Sequence, residues 1–309
     1  MQLEEIDCPV CAVGDYELLF KAKDYRLRLA KETFNIVECR KCGFIFLNPR
    51  PLREALLNFY PVDFHKNDSS FLYKAIEPCF ALAQKNSIRI LKKYQKQGRL
   101  LDVGCGNGNF IHAMQNNGFD VSGVELNLEA QKYVPLDLKG RIFFKELREC
   151  KFADKSFEII TMFHSLEHVA DIRNLLEEVR RIIKDKGIFF ICVPNADFFE
   201  SRIFGPYYYN LEVPRHLYFF NQKTLCKLLA TNGFVPIKVI KEDFSEWVLT
   251  PASFYHGLWN LFSDKYIFKS RILKLLSFIP LVLVKILLRI IFIFDSQNVK
   301  IVFQKSDQA

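Results

Sequence analysis

Four of the nine cysteines stand in two tight pairs, Cys8-Pro-Val-Cys11 and Cys39-Arg-Lys-Cys42, with 27 residues between them. Two such knuckles can wrap one tetrahedral zinc ion. Metal binding in a reducing cytoplasm explains this usage better than a disulfide framework, and the alternative is four reduced, unliganded thiols. The second cluster is Leu101-Asp102-Val103-Gly104-Cys105-Gly106-Asn107-Gly108-Asn109-Phe110, with Glu125 following 21 residues after Gly104. Six of the thirteen glycines fall between Gly98 and Gly123, which marks a place where backbone must approach a ligand. Bare N–H groups at a helix start suit an anionic or nucleotide ligand, and Glu125 can accept hydrogen bonds from both hydroxyls of a ribose. The dinucleotide fingerprint needs glycine where Asn109 stands, so an NAD-binding domain is the competing reading. The third cluster, His164-Ser-Leu-Glu167-His168, places 164, 167 and 168 on one face if it turns helically.

The elements that must position these residues alternate along the chain. Arg99 to Val103 reads as a strand, then the glycine loop, a helix from Asn109 to Asn117 and a strand from Asp120 to Val124. Further strands are expected at Ile142–Phe144, Phe157–Phe163, Gly187–Val193, Val235–Ile240 and Val299–Phe303. Asp171 caps a helix through Ile183, and Asn221 caps one that stops at Gly233. This rhythm predicts an α/β fold with a doubly wound, mostly parallel sheet. The expected organisation is a zinc-ribbon-like segment over 1–50 and a helical linker region over 51–97. A catalytic domain over 98–248 and 295–305 follows, with a hydrophobic helical insertion over 249–294. Between the cysteine pairs few core-forming residues alternate regularly, which predicts a metal-organised loop or ribbon. Asn48-Pro49-Arg50-Pro51 reads as a stiff, extended linker.

With these motifs in place, the chain resembles the class I S-adenosylmethionine-dependent methyltransferases from about Leu100 to Phe244, and again at the final strand. LDVGCGNGNF resembles that family's first motif, and Phe157 to His168 its fourth-strand motif. His216-Leu-Tyr-Phe-Phe-Asn221 and the helix after it are also similar. The paired cysteines and Asn-Pro-Arg-Pro resemble a subgroup with an N-terminal zinc-binding segment, common among bacterial surface-glycan and sugar methyltransferases. The resemblance implies a cofactor set of Asp102, Gly104, Cys105, Gly106, Gly108, Glu125, Leu126 and His164. In it Gly104, Gly106 and the backbone near Cys105 hold the methionine end and Glu125 holds the ribose. It also implies a structural zinc on Cys8, Cys11, Cys39 and Cys42. The family's acidic adenine contact has no clear equivalent in Phe144-Lys145-Glu146-Leu147.

Three readings compete for the histidine cluster. An inverted zinc peptidase needs a long helix, whereas this motif follows a strand and precedes a fresh helix cap. A facial metal site, completed by His216, resembles metal-dependent members of the fold, which carry Glu where His164 stands. In the third reading His164 lines the pocket and one of His164 and His168, with Glu167, serves as catalytic base. A purely structural role for Glu167 and His168 is the alternative. His65, His112 and His256 have no motif around them.

The chain carries a formal charge of +8, and residues 251 to 309 hold eight Lys and Arg against three Asp. The same stretch has the longest uncharged apolar run, the ten residues Leu275 to Val284. A spanning helix needs about 20. Arg271, Lys274, Lys285 and Arg289 beside a broad apolar face describe a helix lying in a membrane interface, against a buried dimerisation or lid element. No secretory signal is seen at the start, so a cytoplasmic enzyme, peripheral at the inner face of the membrane, is expected. The expected activity is methylation of an oxygen or carbon on a surface-glycan, sugar-nucleotide or lipid-linked acceptor. A quinone-type small lipid is a second acceptor class. A zinc-ribbon nucleic-acid-binding protein, using Arg89, Lys92, Lys93, Lys96 and Arg99 around Tyr94, is the non-enzymatic rival; no nucleic-acid partner is expected.

Overall fold

The computed structural model describes residues 1–61, 71–241 and 296–306. The expected insertion over 249–294, with His65 and His256, lies outside the described residues. At the N-terminus the strands are β1 (Leu3–Glu4), β2 (Tyr16–Lys23), β3 (Thr33–Cys39), β4 (Ile45–Leu47) and β5 (Arg50–Pro51). The helices α1 (Arg53–Leu56) and α2 (Phe71–Tyr94) follow. The region beyond contains β6 (Gly98–Val103), α3 (Asn109–Gln115), β7 (Phe119–Val124), β8 (Ile142–Phe143) and β9 (Phe157–Phe163). After these come α4 (Ile172–Ile182), β10 (Ile183–Pro194), α5 (Phe199–Phe204), β11 (Tyr218–Phe219), α6 (Gln222–Thr231), β12 (Phe234–Ile240) and β13 (Asn298–Lys305).

Seven strands form one sheet in the order β12-β13-β10-β9-β6-β7-β8. The five from β8 to β10 run parallel, and β13 runs antiparallel to both neighbours. The expected strands after the glycine loop are all present, and the last one pairs with Phe234–Ile240. Central strands buried on both faces read as unbroken apolar runs, as in Ile188 to Val193. Helix α4 begins at Asp171, whose side chain accepts the Asn174 N–H, and α6 begins with a reciprocal capping box between Asn221 and Thr224. The strand order reverses on the two sides of β6, which opens a crevice at the carboxyl ends of β6, β7 and β9.

The segment between the cysteine pairs is more regular than its sequence pattern predicts. Strands β2 and β3 form an antiparallel ribbon with Ala22, Phe34, Ile36 and Val37 buried. Their sheet has the order β11-β4-β3-β2, so its fourth strand comes from Tyr218–Phe219, far along the chain. The Asn-Pro-Arg-Pro stretch is extended, as expected, yet it is packed rather than a free linker. Asn48 and Arg50 are buried, and Arg50 donates to Glu4, to the Ala170 carbonyl and to the Tyr218 hydroxyl. The periodic residues of α2 face the core, with Ile88 and Leu91 buried.

Candidate active site

The glycine loop joins β6 to α3 at the crevice. Gly104 and Cys105 both donate their N–H groups to the Val124 carbonyl, at 2.8 and 3.1 Å, which folds the loop over the end of β7. At Gly104 φ is +79°, and a Cβ there would lie 2.4 Å from the Ser165 Cβ. Gly108 has φ +84°, and a Cβ would press on Leu138 and Ile142 at 2.9 Å. The left-handed backbone favours glycine at both positions, and at Gly104 a side chain also lacks space. Ser165 closes the other side by donating to the Val103 carbonyl at 2.7 Å.

Glu125 follows β7, and its carboxylate accepts the N–H groups of Gly106 at 2.9 Å and of Leu126 and Asn127 at 2.8 Å. Three backbone donors fix the carboxylate between the glycine loop and the next turn, and its remaining lone pairs can still accept. Asp102 is buried beneath the loop and accepts the Thr161 hydroxyl at 2.6 Å. Burial pushes its carboxyl up to about 7, and the Glu125 charge adds to this against the Thr161 bond. Glu146 pairs with Arg53. Leu126, Leu128 and Leu136 are exposed apolar side chains on the stretch that follows β7. The tightly folded loop of left-handed glycines and the carboxylate fixed beside it fit the cofactor that the motif implies.

The histidine cluster lies just past β9. His164 has φ +50° and donates its N–H to the Cys192 carbonyl at 2.8 Å. Its imidazole is half exposed, 3.6 Å from the Cys192 sulfur and 3.7 Å from Glu167. Desolvation opposes its charge, but Cys192 and Glu167 outweigh that and push it up to about 10. His168 is held differently. Its Nδ1 lies 3.0 Å from the Arg215 carbonyl, so that nitrogen carries the hydrogen and Nε2 keeps a lone pair. Desolvation pushes His168 below the ordinary imidazole range, and His216 falls further for the same reason, with His168 beside it. The Nδ1 of His216 donates to the Asn210 carbonyl at 2.8 Å. Glu167 is buried, and neither carboxylate oxygen has a hydrogen-bond partner among the described residues.

Ligand atoms of Glu167, His168 and His216 lie within 4.8 Å of one another, and His164 is outside that trio. The motif is a short 3-10 turn at Leu166–His168, so the single helical face expected for 164, 167 and 168 is not formed. The loop carrying His216 takes the place of His164. Tyr60, Asp24 and Arg215 also belong to the site and carry no motif. The Tyr60 hydroxyl is 2.9 Å from the His168 Nδ1, and 108 positions separate the two along the chain, so no local pattern links them. A cavity of about 80 Å³ lies beside His216, lined by Phe20, Ile36, Ile45, Pro194, Tyr208 and Phe219 among others.

In the N-terminal unit the four paired cysteines converge. Cys8 and Cys42 are 3.5 Å apart at sulfur, as are Cys11 and Cys39, and all four sulfurs lie within 4.8 Å. Zinc–sulfur bonds of about 2.3 Å in a tetrahedron imply sulfur separations of about 3.8 Å, so the group can close around one ion.

A family model described as a methyltransferase domain matches residues 75–239, more than half of the chain. The chain belongs to the methyltransferase-domain family. The D-x-G-x-G-x-G loop, Glu125 and the strand order are those expected of class I S-adenosylmethionine-dependent methyltransferases, and an NAD-binding domain is set aside. A ubiquinone biosynthesis O-methyltransferase of Pelagibacter ubique (strain HTCC1062) is 33% identical over 122 residues, covering 38% of this chain and 50% of that protein. One from Bartonella bacilliformis (strain ATCC 35685 / KC583 / Herrer 020/F12,63) is 31% identical over 155 residues, covering 47% and 61%. The chain thus spans about half the length of several curated relatives it matches. A SAM-dependent methyltransferase structure from Archaeoglobus fulgidus aligns at TM-score 0.49 with 19% identity, covering 76% of this chain and all of that one. Two of the basic residues that nucleic acid would need are engaged within the protein. Lys92 donates to Asn117, and Arg99 lies by Asp120 and over the Phe157 ring.

Proposed function

We propose that this protein methylates an oxygen or carbon of a bacterial surface-glycan, sugar-nucleotide or lipid-linked acceptor, with S-adenosylmethionine as donor. The observation that carries this reading is a cofactor cradle beside a half-buried imidazole, His168, which desolvation holds below the ordinary range and whose Nδ1–H is tied to a backbone carbonyl. S-adenosylmethionine supplies, when bound, a methyl group on a sulfonium leaving group. Gly104, Gly106, Gly108 and the Cys105 backbone are assigned to its methionine end, Glu125 to the ribose and Leu126 to the apolar surroundings of the base. Asp102 supports the loop from beneath.

His168 is the group assigned to take the acceptor's proton through Nε2. The environment keeps it neutral at pH 7, whereas that of His164 favours the charged form and suits it to lining the site. Glu167, with two unpartnered oxygens beside His216, steadies the positive charge that His168 acquires. The apolar, basic composition of the stretch 249–294 favours an acceptor with a lipid portion, met at a membrane surface. A quinone-type small lipid is the second reading, supported by the names of the relatives. The four cysteines are assigned a structural zinc.

The test is a screen with radiolabelled methyl donor over nucleotide sugars, lipid-linked sugars and polyprenylated catechols. Label in a lipid-linked sugar supports the first reading, and label confined to the catechols replaces it with the second. No transfer to any class by a protein that binds the donor overturns both assignments.

A further inference from the structure

Arg215 joins two parts of the chain that lie far apart in sequence. Its guanidinium is sealed from solvent and donates to the equally sealed Asp24 carboxylate through two bonds of 3.0 and 3.2 Å. Asp24 lies in the loop after β2, between the two cysteine pairs, and accepts the N–H groups of Leu27 and Leu29 at 3.2 and 2.9 Å. The Arg215 carbonyl accepts from His168, and the next residue is His216. One residue further, Leu217 donates to the Glu167 carbonyl and accepts from the Leu47 N–H at the end of β4. Residues 215–217 are therefore gripped on one side by the cysteine-pair unit, and on the other they hold Glu167 and His168.

A buried Arg–carboxylate pair is a poor way to gain stability, because an apolar pair of similar volume serves as well or better. What the planar fork supplies is fixed geometry. At this place the geometry it fixes is that of the histidines.

We propose that the cysteine-pair unit is part of the catalytic machinery, and that Asp24 is a positioning residue. Asp24 fixes Arg215, and through the Arg215 main chain it sets the imidazoles of His168 and His216. The inference rests on reading His168 as the proton acceptor, and its test needs no acceptor molecule.

The experiment follows the ring nitrogens of isotope-labelled histidine by NMR in the full chain at neutral pH, with S-adenosylhomocysteine binding measured in parallel. In the wild type, His168 and His216 each show a single tautomer with the hydrogen on Nδ1. Asp24→Asn is expected to lose that single state at His168 and populate both tautomers, while S-adenosylhomocysteine binds with wild-type affinity. Because this substitution leaves the buried guanidinium with Glu212, 3.6 Å away, as its remaining carboxylate, the double variant Asp24→Leu/Arg215→Met is measured beside it, and it decides the matter if the single variant fails to fold. Unchanged His168 and His216 signals in a folded variant overturn the proposal. Failure of the wild type to bind S-adenosylhomocysteine would instead count against the cofactor assignment, and the tautomer result would still decide the role of Asp24.

Discussion

Asp102 holds an acid in a place that penalises its charge, directly under the loop assigned to the cofactor. Its folded value of about 7 lies above the unfolded value of about 3.9. The folded state therefore binds the proton more tightly, and its stability falls as pH rises from about 4 to about 7, then levels off. Asp102→Asn removes that slope. Denaturant midpoints across pH should show the variant gaining on the wild type over this window by on the order of a few kcal/mol. Parallel curves would mean that Asp102 ionises normally. Gly104 makes a sharper demand. With φ at +79° and Ser165 in the way, Gly104→Ala should cost about 1–3 kcal/mol and abolish donor binding. Wild-type melting and binding would contradict the reading of this loop.

The two sheets divide the labour between them. The seven-stranded sheet brings the ends of β6, β7 and β9 together, which is why Asp102, Glu125 and His164 meet although about 60 residues separate the first and last. The four-stranded sheet takes β11 from the catalytic region, so the cysteine unit and the His216 loop share hydrogen bonds. Structural zinc contributes folding free energy directly. Cys39→Ser should therefore lose one metal equivalent and lower the melting temperature of a single cooperative transition by several degrees. Metal analysis with calorimetric scanning checks this. An unshifted main transition preceded by a small separate one would show that the two parts unfold independently. The glycine loop, Glu125 and the individual strands were readable because each is written in a short stretch of chain. The Asp24–Arg215 pair spans 191 residues, and β11 is two residues long. Neither leaves a periodic or spaced pattern. The regularity of β2 and β3 was likewise hidden, since five of the eight residues of β2 are exposed and its alternation is weak.

For the whole molecule, charge and apolar surface point the same way. Among the described residues no helix is long and apolar enough to cross a membrane. The excess of basic residues in 251–309 accompanies the longest apolar run. Sedimentation with anionic vesicles should carry the full-length protein down, and deletion of 249–294 should release it. If deletion leaves sedimentation unchanged, the membrane assignment fails. Everything else depends on the donor site. Titration calorimetry of S-adenosylmethionine into wild type and Glu125→Ala tests it most directly: the wild type is expected to bind and the variant to lose most of that affinity. Absence of binding to the wild type, or equal binding by Glu125→Ala, would contradict the assignment of the glycine loop and Glu125 as the donor cradle.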